Sequence, residues 1–270
     1  MPYGTWIIRE IESPKGYVLS EEEIAVTIGK VDEVVEIELV NYFIKGNIAL
    51  TKVDEDYPDN KLSGAVFEVY SDTNGDGKLD KDDTLLGEMK ELDGGVYQMS
   101  ELRYGKYLVK ETKAPTGFVL DEDVYAVSIE ENGKTYTVEN KAGVGFINAA
   151  QKGSLKIVKT SSDGKVEGFS FRVTGVDYDQ TFKTDKNGEI VIEGLRIGDY
   201  TVSEVSDKAS AGYILPADKQ VTVKVNATAI VQMHNEFRDT PKQAMTSIWL
   251  MGKPCSFVCC RCGRSRICRL

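Results

Sequence analysis

A lysine, a glutamate and an asparagine recur in the same order along this chain, and these three side-chain types could together form an amide cross-link. Each of them ends a short stretch in which apolar residues alternate with other residues. Two copies of the set are complete, and one copy lacks its lysine. The residues are Lys52, Glu111 and Asn148 in one complete copy, Lys159, Glu204 and Asn235 in the other, and Glu10 and Asn41 in the incomplete copy.

Burial decides what these groups can do. It lowers the pKa of a lysine and raises the pKa of a glutamate, by up to roughly 3–5 units. A neutral amine is a nucleophile, and a protonated carboxyl group can move protons. A lysine amine that faces an asparagine amide can therefore attack its carbonyl carbon while the glutamate shuttles protons. Ammonia leaves, and an isopeptide bond remains. The alternative is a buried salt bridge with an asparagine hydrogen bond, but the repetition of the set favours the cross-link.

The elements that must position these groups are β-strands, because side chains alternate between the two faces of a strand. In each copy the polar residue shares its face with the apolar residues two and four positions before it. These inward stripes are Ile48, Leu50 and Lys52 in an opening strand, Tyr107, Val109 and Glu111 in a middle strand, and Val144, Phe146 and Asn148 in a closing strand. The same pattern predicts a closing strand over residues 37–41.

The strands form repeated units. Tyr104-Gly-Lys-Tyr-Leu-Val-Lys-Glu111 has near copies in Tyr3-Gly-Thr-Trp-Ile-Ile-Arg-Glu10 and Ile197-Gly-Asp-Tyr-Thr-Val-Ser-Glu204. Stretches rich in Val, Ile, Thr and Tyr alternate with Asn-Gly and Asp-Gly turn signals, and no long stretch has a helical period. We predict an all-β fold of tandem antiparallel β-sandwiches, the N-terminal one incomplete. The predicted divisions are a half-unit (1–45), a middle unit (46–150), a last unit (151–238) and an irregular tail (239–270).

An acidic loop in the middle unit has the spacing of a calcium-binding loop. Side-chain oxygens fall at positions 1, 3, 5, 9 and 12 of twelve residues, and Gly77 holds position 6, where the chain must turn sharply. Position 12 is Asp rather than the usual Glu. The alternative is a solvated, metal-free hairpin; the spacing favours structural calcium. The predicted ligands are Asp72, Asn74, Asp76, Lys78 through its carbonyl, Asp80 and Asp83.

Three motifs of the middle unit resemble a known family. Leu50-Thr-Lys-Val-Asp54, Gly64-Ala-Val-Phe-Glu-Val69 and Tyr107-Leu-Val-Lys-Glu-Thr-Lys-Ala-Pro-Thr-Gly-Phe118 are similar to the collagen-adhesin B-type (Cna-B, SpaA-like, prealbumin-like) domains of Gram-positive surface proteins and pili. The resemblance covers about 1–238. It implies prealbumin-like, inverse immunoglobulin-like sandwiches in a stalk, often with autocatalytic Lys–Asn bonds assisted by Glu or Asp. The last unit departs from the pattern, because the segment directly after Glu204 lacks the Pro and Gly168-Phe-Ser-Phe171 stands in place of Gly-Ala-x-Phe.

On this resemblance the two complete sets become cross-links with a glutamate proton shuttle. Glu10 and Asn41 match the half-unit, where the partner lysine is missing, so that bond cannot form. The implied protein is a non-enzymatic stalk module at a Gram-positive cell wall, extracellular, with neighbouring stalk domains and, in the parent protein, a sortase as partners. The alternative is an adhesin domain that binds a host extracellular matrix protein or glycan.

Composition narrows the function further. The chain has 270 residues, of which 41% are hydrophobic, with a net charge of −10 and one histidine. The negative charge disfavours nucleic acid as a partner. A single histidine argues against most histidine-based catalysis, and calcium is the one cofactor predicted. The sequence shows no secretory signal and no apolar run long enough for a membrane helix.

The tail differs from the rest of the chain because it is basic and holds all five cysteines, from Cys255 to Cys268. After Thr240-Pro-Lys242, members of the resembling family often continue into a sortase sorting signal. Reading the codons one base upstream permits Thr-Gly here and mostly Leu, Val or Phe over 255–262. We interpret the tail as a frameshifted sorting signal. The alternative is a zinc or disulfide cluster, although Cys259-x-x-Cys262 is one half of a usual zinc pattern.

Overall fold

A computed structural model describes residues 2–238 of the chain. All the regular secondary structure in this range consists of β-strands, which confirms the predicted all-β class. Within the same range no helix is long and apolar enough to cross a membrane. The tail, with its cysteines and its predicted frameshift, lies outside the described residues.

The half-unit contains one antiparallel pair of strands, β1 (Gly4–Arg9) and β2 (Glu23–Ile28). The closing strand predicted over residues 37–41 is not formed, since these residues have no regular structure. In the two complete units the closing strand pairs with an opening strand, and residues 2–45 contain none before it. Backbone pairing, rather than the apolar pattern alone, is what makes such a segment a strand.

The middle unit is a sandwich of two sheets. One sheet has the order β10-β3-β7-β6, with β11 also paired to β3, and the other has the order β5-β4-β8-β9. The strands are β3 (Lys45–Asp54), β4 (Val66–Ser71), β5 (Thr84–Glu88), β6 (Lys90–Glu91), β7 (Val96–Arg103), β8 (Gly105–Lys113), β9 (Val124–Ile129), β10 (Thr135–Thr137) and β11 (Phe146–Asn148).

The last unit repeats this architecture with two four-stranded sheets, β15-β12-β19-β17 and β14-β13-β16-β18. Its strands are β12 (Lys152–Ser161), β13 (Ser170–Gly175), β14 (Tyr178–Lys183), β15 (Glu189–Arg196), β16 (Gly198–Val205), β17 (Tyr213–Ile214), β18 (Lys219–Val223) and β19 (Thr228–Phe237).

The opening and closing strands of each complete unit run parallel. Among the described strands β10 also pairs with β3 in parallel, and the other strand pairs are antiparallel. β11 pairs with β3, and β19 pairs with β12, both in parallel register. Two neighbouring parallel strands cannot be joined by a short hairpin, so the rest of the unit forms the connection between them. The unit therefore begins and ends on adjacent strands of one sheet.

Each complete unit has its own apolar core between its two sheets. In the middle unit Phe67 from one sheet meets Phe146 from the other, with ring centroids 5.0 Å apart. The inward stripes contribute to both cores, as the period of two predicts, and neighbouring strands supply the rest. Fully buried members are Ile48, Leu50, Val69 and Val109 in the middle unit and Leu155, Ile157, Val202 and Met233 in the last.

Candidate functional site

The three residue types of the predicted cross-link come from three strands of the middle unit. Lys52 lies on β3 and Asn148 on β11 of the same sheet, and Glu111 lies on β8 of the facing sheet. The parallel register places Phe146 opposite Lys52, so Asn148 sits diagonally from the lysine on the same face. Lys52 and Glu111 are 0% exposed and Asn148 is 3% exposed, so the three residues meet at the end of the core.

A glycine fixes the backbone of the lysine in both complete units. Lys52 N donates to Gly95 O at 2.7 Å, and Lys159 N donates to Gly188 O at 2.7 Å. Both glycines have a left-handed φ, +83° and +77°, and a Cβ at Gly188 would approach the Lys159 carbonyl oxygen to 2.7 Å. Only glycine adopts this conformation at such close approach without strain.

In the middle unit the three groups are in direct contact. Lys52 Nζ donates a hydrogen bond to Asn148 Oδ1 and a longer one, at 3.3 Å, to the Phe146 carbonyl. Asn148 Nδ2 donates to both carboxylate oxygens of Glu111, at 3.0 and 2.9 Å. Glu111 Oε1 lies 3.6 Å from Lys52 Nζ. The amine, the amide and the carboxyl group thus form a closed triangle without an intervening residue.

Burial makes the amine of Lys52 available as a nucleophile. Loss of hydration lowers the pKa of Lys52 to about 8, although Glu111 and Asp121 act in the opposite direction by favouring the charged form. An amine with this pKa is about one-tenth neutral at pH 7, against less than one-thousandth for an exposed lysine. The geometry and the electrostatics of the middle unit are those that attack on an amide requires.

The last unit brings its glutamate and asparagine together but turns its lysine away. Asn235 Nδ2 donates to Glu204 Oε1 at 2.6 Å, whereas Lys159 Nζ donates to the carbonyl of Thr160 at 2.6 Å. Within residues 2–238, Glu204 Oε2 and Asn235 Oδ1 are buried and have no hydrogen-bond partner. Burial lowers the pKa of Lys159 and raises that of Glu204.

The half-unit holds the same glutamate–asparagine pair. Asn41 Nδ2 donates to Glu10 Oε1 at 2.7 Å, and the backbone N–H of Ser20 donates to Glu10 Oε2 at 2.8 Å. The middle unit repeats the second contact, since Asp121 N donates to Glu111 Oε2 at 2.8 Å. All three glutamate–asparagine pairs predicted from the sequence are therefore in contact.

The acidic loop lies between β4 and β5, and its side chains bind the loop's own backbone. Asp72 accepts from the N–H groups of Gly75 and Gly77 at 2.7 and 3.1 Å, and Asp83 accepts from those of Thr73 and Asp80 at 3.1 and 2.9 Å. The donor set is chemically suited to calcium. As arranged, however, the described residues contain no group of three or more Asp, Glu, His or Cys side chains that could hold an ion. The calcium site stays a prediction.

The sequence reasoning missed Asp54, a buried carboxylate beside the cross-linking triangle. It follows Lys52 by two residues, and Arg196 of the last unit binds it through two hydrogen bonds, at 2.7 and 2.8 Å. Because side chains two apart share a strand face, the stripe that ends in Lys52 also indicates an inward Asp54. Nothing in the spacing pointed to Arg196, which is distant in sequence.

Comparison with known proteins places this architecture. The model of the SpaA prealbumin-like fold domain matches residues 1–42, 46–142 and 153–237, which confirms the resemblance drawn from the motifs. No curated protein matches the chain significantly.

Among solved structures, the Bacillus anthracis TIE protein is 27% identical, with a TM-score of 0.67 over 88% of this chain and 42% of that chain. This chain thus spans less than half the length of that relative. The minor pilin GBS52 of Streptococcus agalactiae is 18% identical over 73% of this chain and 98% of its own, with a TM-score of 0.33. The shaft pilin SpaA of Lactobacillus rhamnosus GG is 14% identical over 72% and 98%, with a TM-score of 0.32.

Proposed function

Because this chain belongs to the family of SpaA prealbumin-like fold domains, we propose that it is a structural module of a Gram-positive surface protein or pilus, strengthened by autocatalytic Lys–Asn isopeptide bonds. One observation carries the proposal: Lys52 Nζ contacts the Asn148 amide, and Glu111 binds that amide from the other side, with all three side chains buried. The proposed location is extracellular, and the proposed partners are neighbouring modules of the same stalk.

The proposed reaction needs no co-reactant. The neutral Nζ of Lys52 attacks Cγ of Asn148, and an Nζ–Cγ bond forms as the Cγ–Nδ2 bond breaks. Glu111 contacts both nitrogens, so it can take the proton released by the amine and deliver it to the departing nitrogen. The nitrogen leaves as ammonia. Each unit reacts once on itself, so the chain has no turnover and is not an enzyme in the usual sense.

The value of the bond lies in where it is placed. It joins β3 to β11, the parallel first and last strands of the unit, and closes a loop between residues 96 apart. A covalent bridge that closes a loop of about 100 residues is worth roughly 4–5 kcal/mol in the chain-entropy model. Unlike a disulfide, it cannot be reduced. Tension on the chain ends is then resisted by a covalent bond.

Intact mass of the purified full chain tests the proposal. We expect the mass to fall short of the sequence mass by one ammonia for each linked unit, and two at completion. Peptide mapping should recover Lys52 and Asn148 in one branched peptide. The matched control is Lys52→Arg, which keeps a positive charge but has no amine to react. In this variant the middle unit should show no loss of ammonia. A wild-type chain at its full sequence mass would rule out the cross-link.

The adhesin alternative is separated by binding rather than by mass. A stalk module predicts no saturable binding of the full chain to an array of host matrix proteins and glycans. Specific, saturable binding to one of them would favour the adhesin. The two readouts are independent, because a cross-linked module can also bind a ligand.

A further inference from the structure

Arg196 joins the last unit to the middle unit. It ends β15 of the last unit, and its guanidinium binds both carboxylate oxygens of Asp54, at 2.7 and 2.8 Å, and one oxygen of Asp56 at 3.0 Å. The guanidinium also lies over the ring of Tyr57, 4.9 Å from its centroid. Asp54 is 2% exposed. A two-pronged contact of this kind fixes orientation as well as distance.

The carboxylate that Arg196 holds lies inside the cross-linking region of the middle unit. Asp54 shares the inward face of β3 with Lys52, two residues earlier, and the parallel register places it opposite Asn148. The next residue, Glu55, donates its N–H to the Asn148 carbonyl at 3.1 Å. The contact from the last unit therefore grips the strand end that carries the amine, at the point where it pairs with the strand that carries the amide.

Arg196 also balances a charge that would otherwise act on the amine. The carboxyl groups that act on Lys52 are Glu111 from β8 and Asp121 from the segment after β8, and the buried Asp54 follows Lys52 by two residues on the same face of β3. The Arg196 guanidinium holds the pKa of Asp54 below its usual range, against its burial. Without Arg196, a buried carboxylate two residues along the same strand face would favour the ammonium form of Lys52, which is not a nucleophile.

The last unit shows the arrangement without this contact. Ser161 takes the place of Asp54 there, two residues after Lys159 and opposite Asn235. Its hydroxyl donates to Asp163, at 2.7 Å, within the same unit. In this unit the lysine amine points to the Thr160 carbonyl instead of the asparagine.

We propose that Arg196 is a positioning residue for the Lys52–Asn148 bond, so that docking of the last unit promotes cross-linking of the middle unit. The inference rests on the proposed function. Arg196 touches none of the reacting atoms, and it acts through Asp54 on the end of β3 and on the charge state of the amine. Cross-linking would then follow module docking, and a stalk would become covalently fixed unit by unit.

Refolding of the full chain from denaturant tests this, with the Lys52–Asn148 peptide quantified by mass spectrometry over time. At pH 7 we expect Arg196→Gln to slow formation of this link about tenfold, the effect of raising the pKa of Lys52 by one unit. The difference should shrink as the pH rises to 10, where the amine is neutral in both proteins. The double variant Asp54→Asn with Arg196→Gln, which removes both charges, should recover part of the rate.

The matched control is Arg103→Gln. Arg103 holds the corresponding position at the end of β7, but its guanidinium lies over Phe43, 4.0 Å from the ring centroid, and makes no ion pair among the described residues. We expect its link to form at the wild-type rate. Refolding followed by circular dichroism should be the same for all variants. An unchanged rate in Arg196→Gln or an equal loss in Arg103→Gln would overturn the inference. A wild-type chain that forms no link would instead overturn the proposed function.

Discussion

The middle and last units place the same three residue types on matching strands, yet the lysine meets the asparagine in one unit and turns away in the other. In the middle unit Lys52 Nζ contacts Asn148 Oδ1. In the last unit Lys159 Nζ binds the neighbouring carbonyl of Thr160 instead. The backbone is not the cause, because both lysines are held by a glycine carbonyl at 2.7 Å. The difference lies in the lysine side chain.

The comparison shows that strand register brings the groups within reach and that local contacts choose the final geometry. In the last unit the described residues leave Glu204 Oε2 and Asn235 Oδ1 buried without a partner. Each unpaired buried polar atom costs about 1–3 kcal/mol. Lys159 Nζ is the donor that rotation could bring to these atoms. The last unit therefore has the parts of a cross-link in a conformation that must change before reaction.

The largest effect should come from removing the proton carrier. Glu111→Gln keeps the shape of the side chain and loses the carboxyl group, and we expect the Lys52–Asn148 link to form about 10²–10⁴ times more slowly. The measurement is the branched peptide as a function of refolding time. Glu204→Gln is the matched control and should leave the middle-unit rate unchanged. Normal linking in Glu111→Gln would show that another group moves the proton.

Removing the amine should destabilise the middle unit strongly. Lys52→Met retains an unbranched side chain of similar volume and cannot form the link. We expect the free energy of unfolding of the middle unit to fall by roughly 4–5 kcal/mol, the value of the lost loop closure. Calorimetry of the full chain measures this as a shift of one melting transition.

Lys159→Met provides the comparison between the units. It should shift the other transition by a similar amount if the wild-type last unit is fully linked, and by less if that link is incomplete. The mass deficit of the same sample decides which case applies. A Lys52→Met chain that melts like wild type would contradict the proposed contribution of the link.

The two units should also differ in the order of linking. Lys159 must leave the Thr160 carbonyl before it can reach Asn235, whereas Lys52 already contacts its amide. We expect the first ammonia lost during refolding to come from the middle unit and the second to follow later. Peptide mapping of samples taken at successive times assigns each loss. A last unit that links first would show that the Lys159 conformation is not a barrier.

Much of this site is readable from the sequence because the period of two is unambiguous in short strands. It placed Lys52, Glu111 and Asn148 on inward faces, and they are buried together. The same alternation placed Lys159 on the buried face of its strand. It could not predict the Lys159 rotamer, because the Thr160 carbonyl and Asn235 compete for the amine. Strand pairing was a second feature that the sequence did not predict. Alternation does not distinguish parallel from antiparallel neighbours, so the parallel register of β3 with β11 came from the structure.

Contacts between units were a third feature that the sequence did not predict. The Arg196–Asp54 ion pair joins residues 142 positions apart, and no local pattern encodes such a separation. The prediction of a closing strand over residues 37–41 was wrong for a related reason. The segment has the apolar alternation of a strand, but it has no neighbouring strand with which to pair among the described residues. Local periodicity therefore predicts which side chains face the core, whereas partners across units must be found in three dimensions.

The smallest expected effect concerns the acidic loop, which distinguishes the middle unit from the last. The β4–β5 connection contains this loop, whereas only Val176 and Asp177 separate β13 from β14. If calcium draws the oxygens of the loop together, titration of the full chain should release binding heat and raise the melting temperature of the middle unit alone. Calcium at 100 times its Kd should raise the free energy of unfolding by about 2.7 kcal/mol. Asp76→Asn should weaken the binding, and Asp59→Asn, an exposed carboxylate outside the loop, should not. An absence of binding heat together with unchanged melting in chelator would identify the loop as a metal-free hairpin.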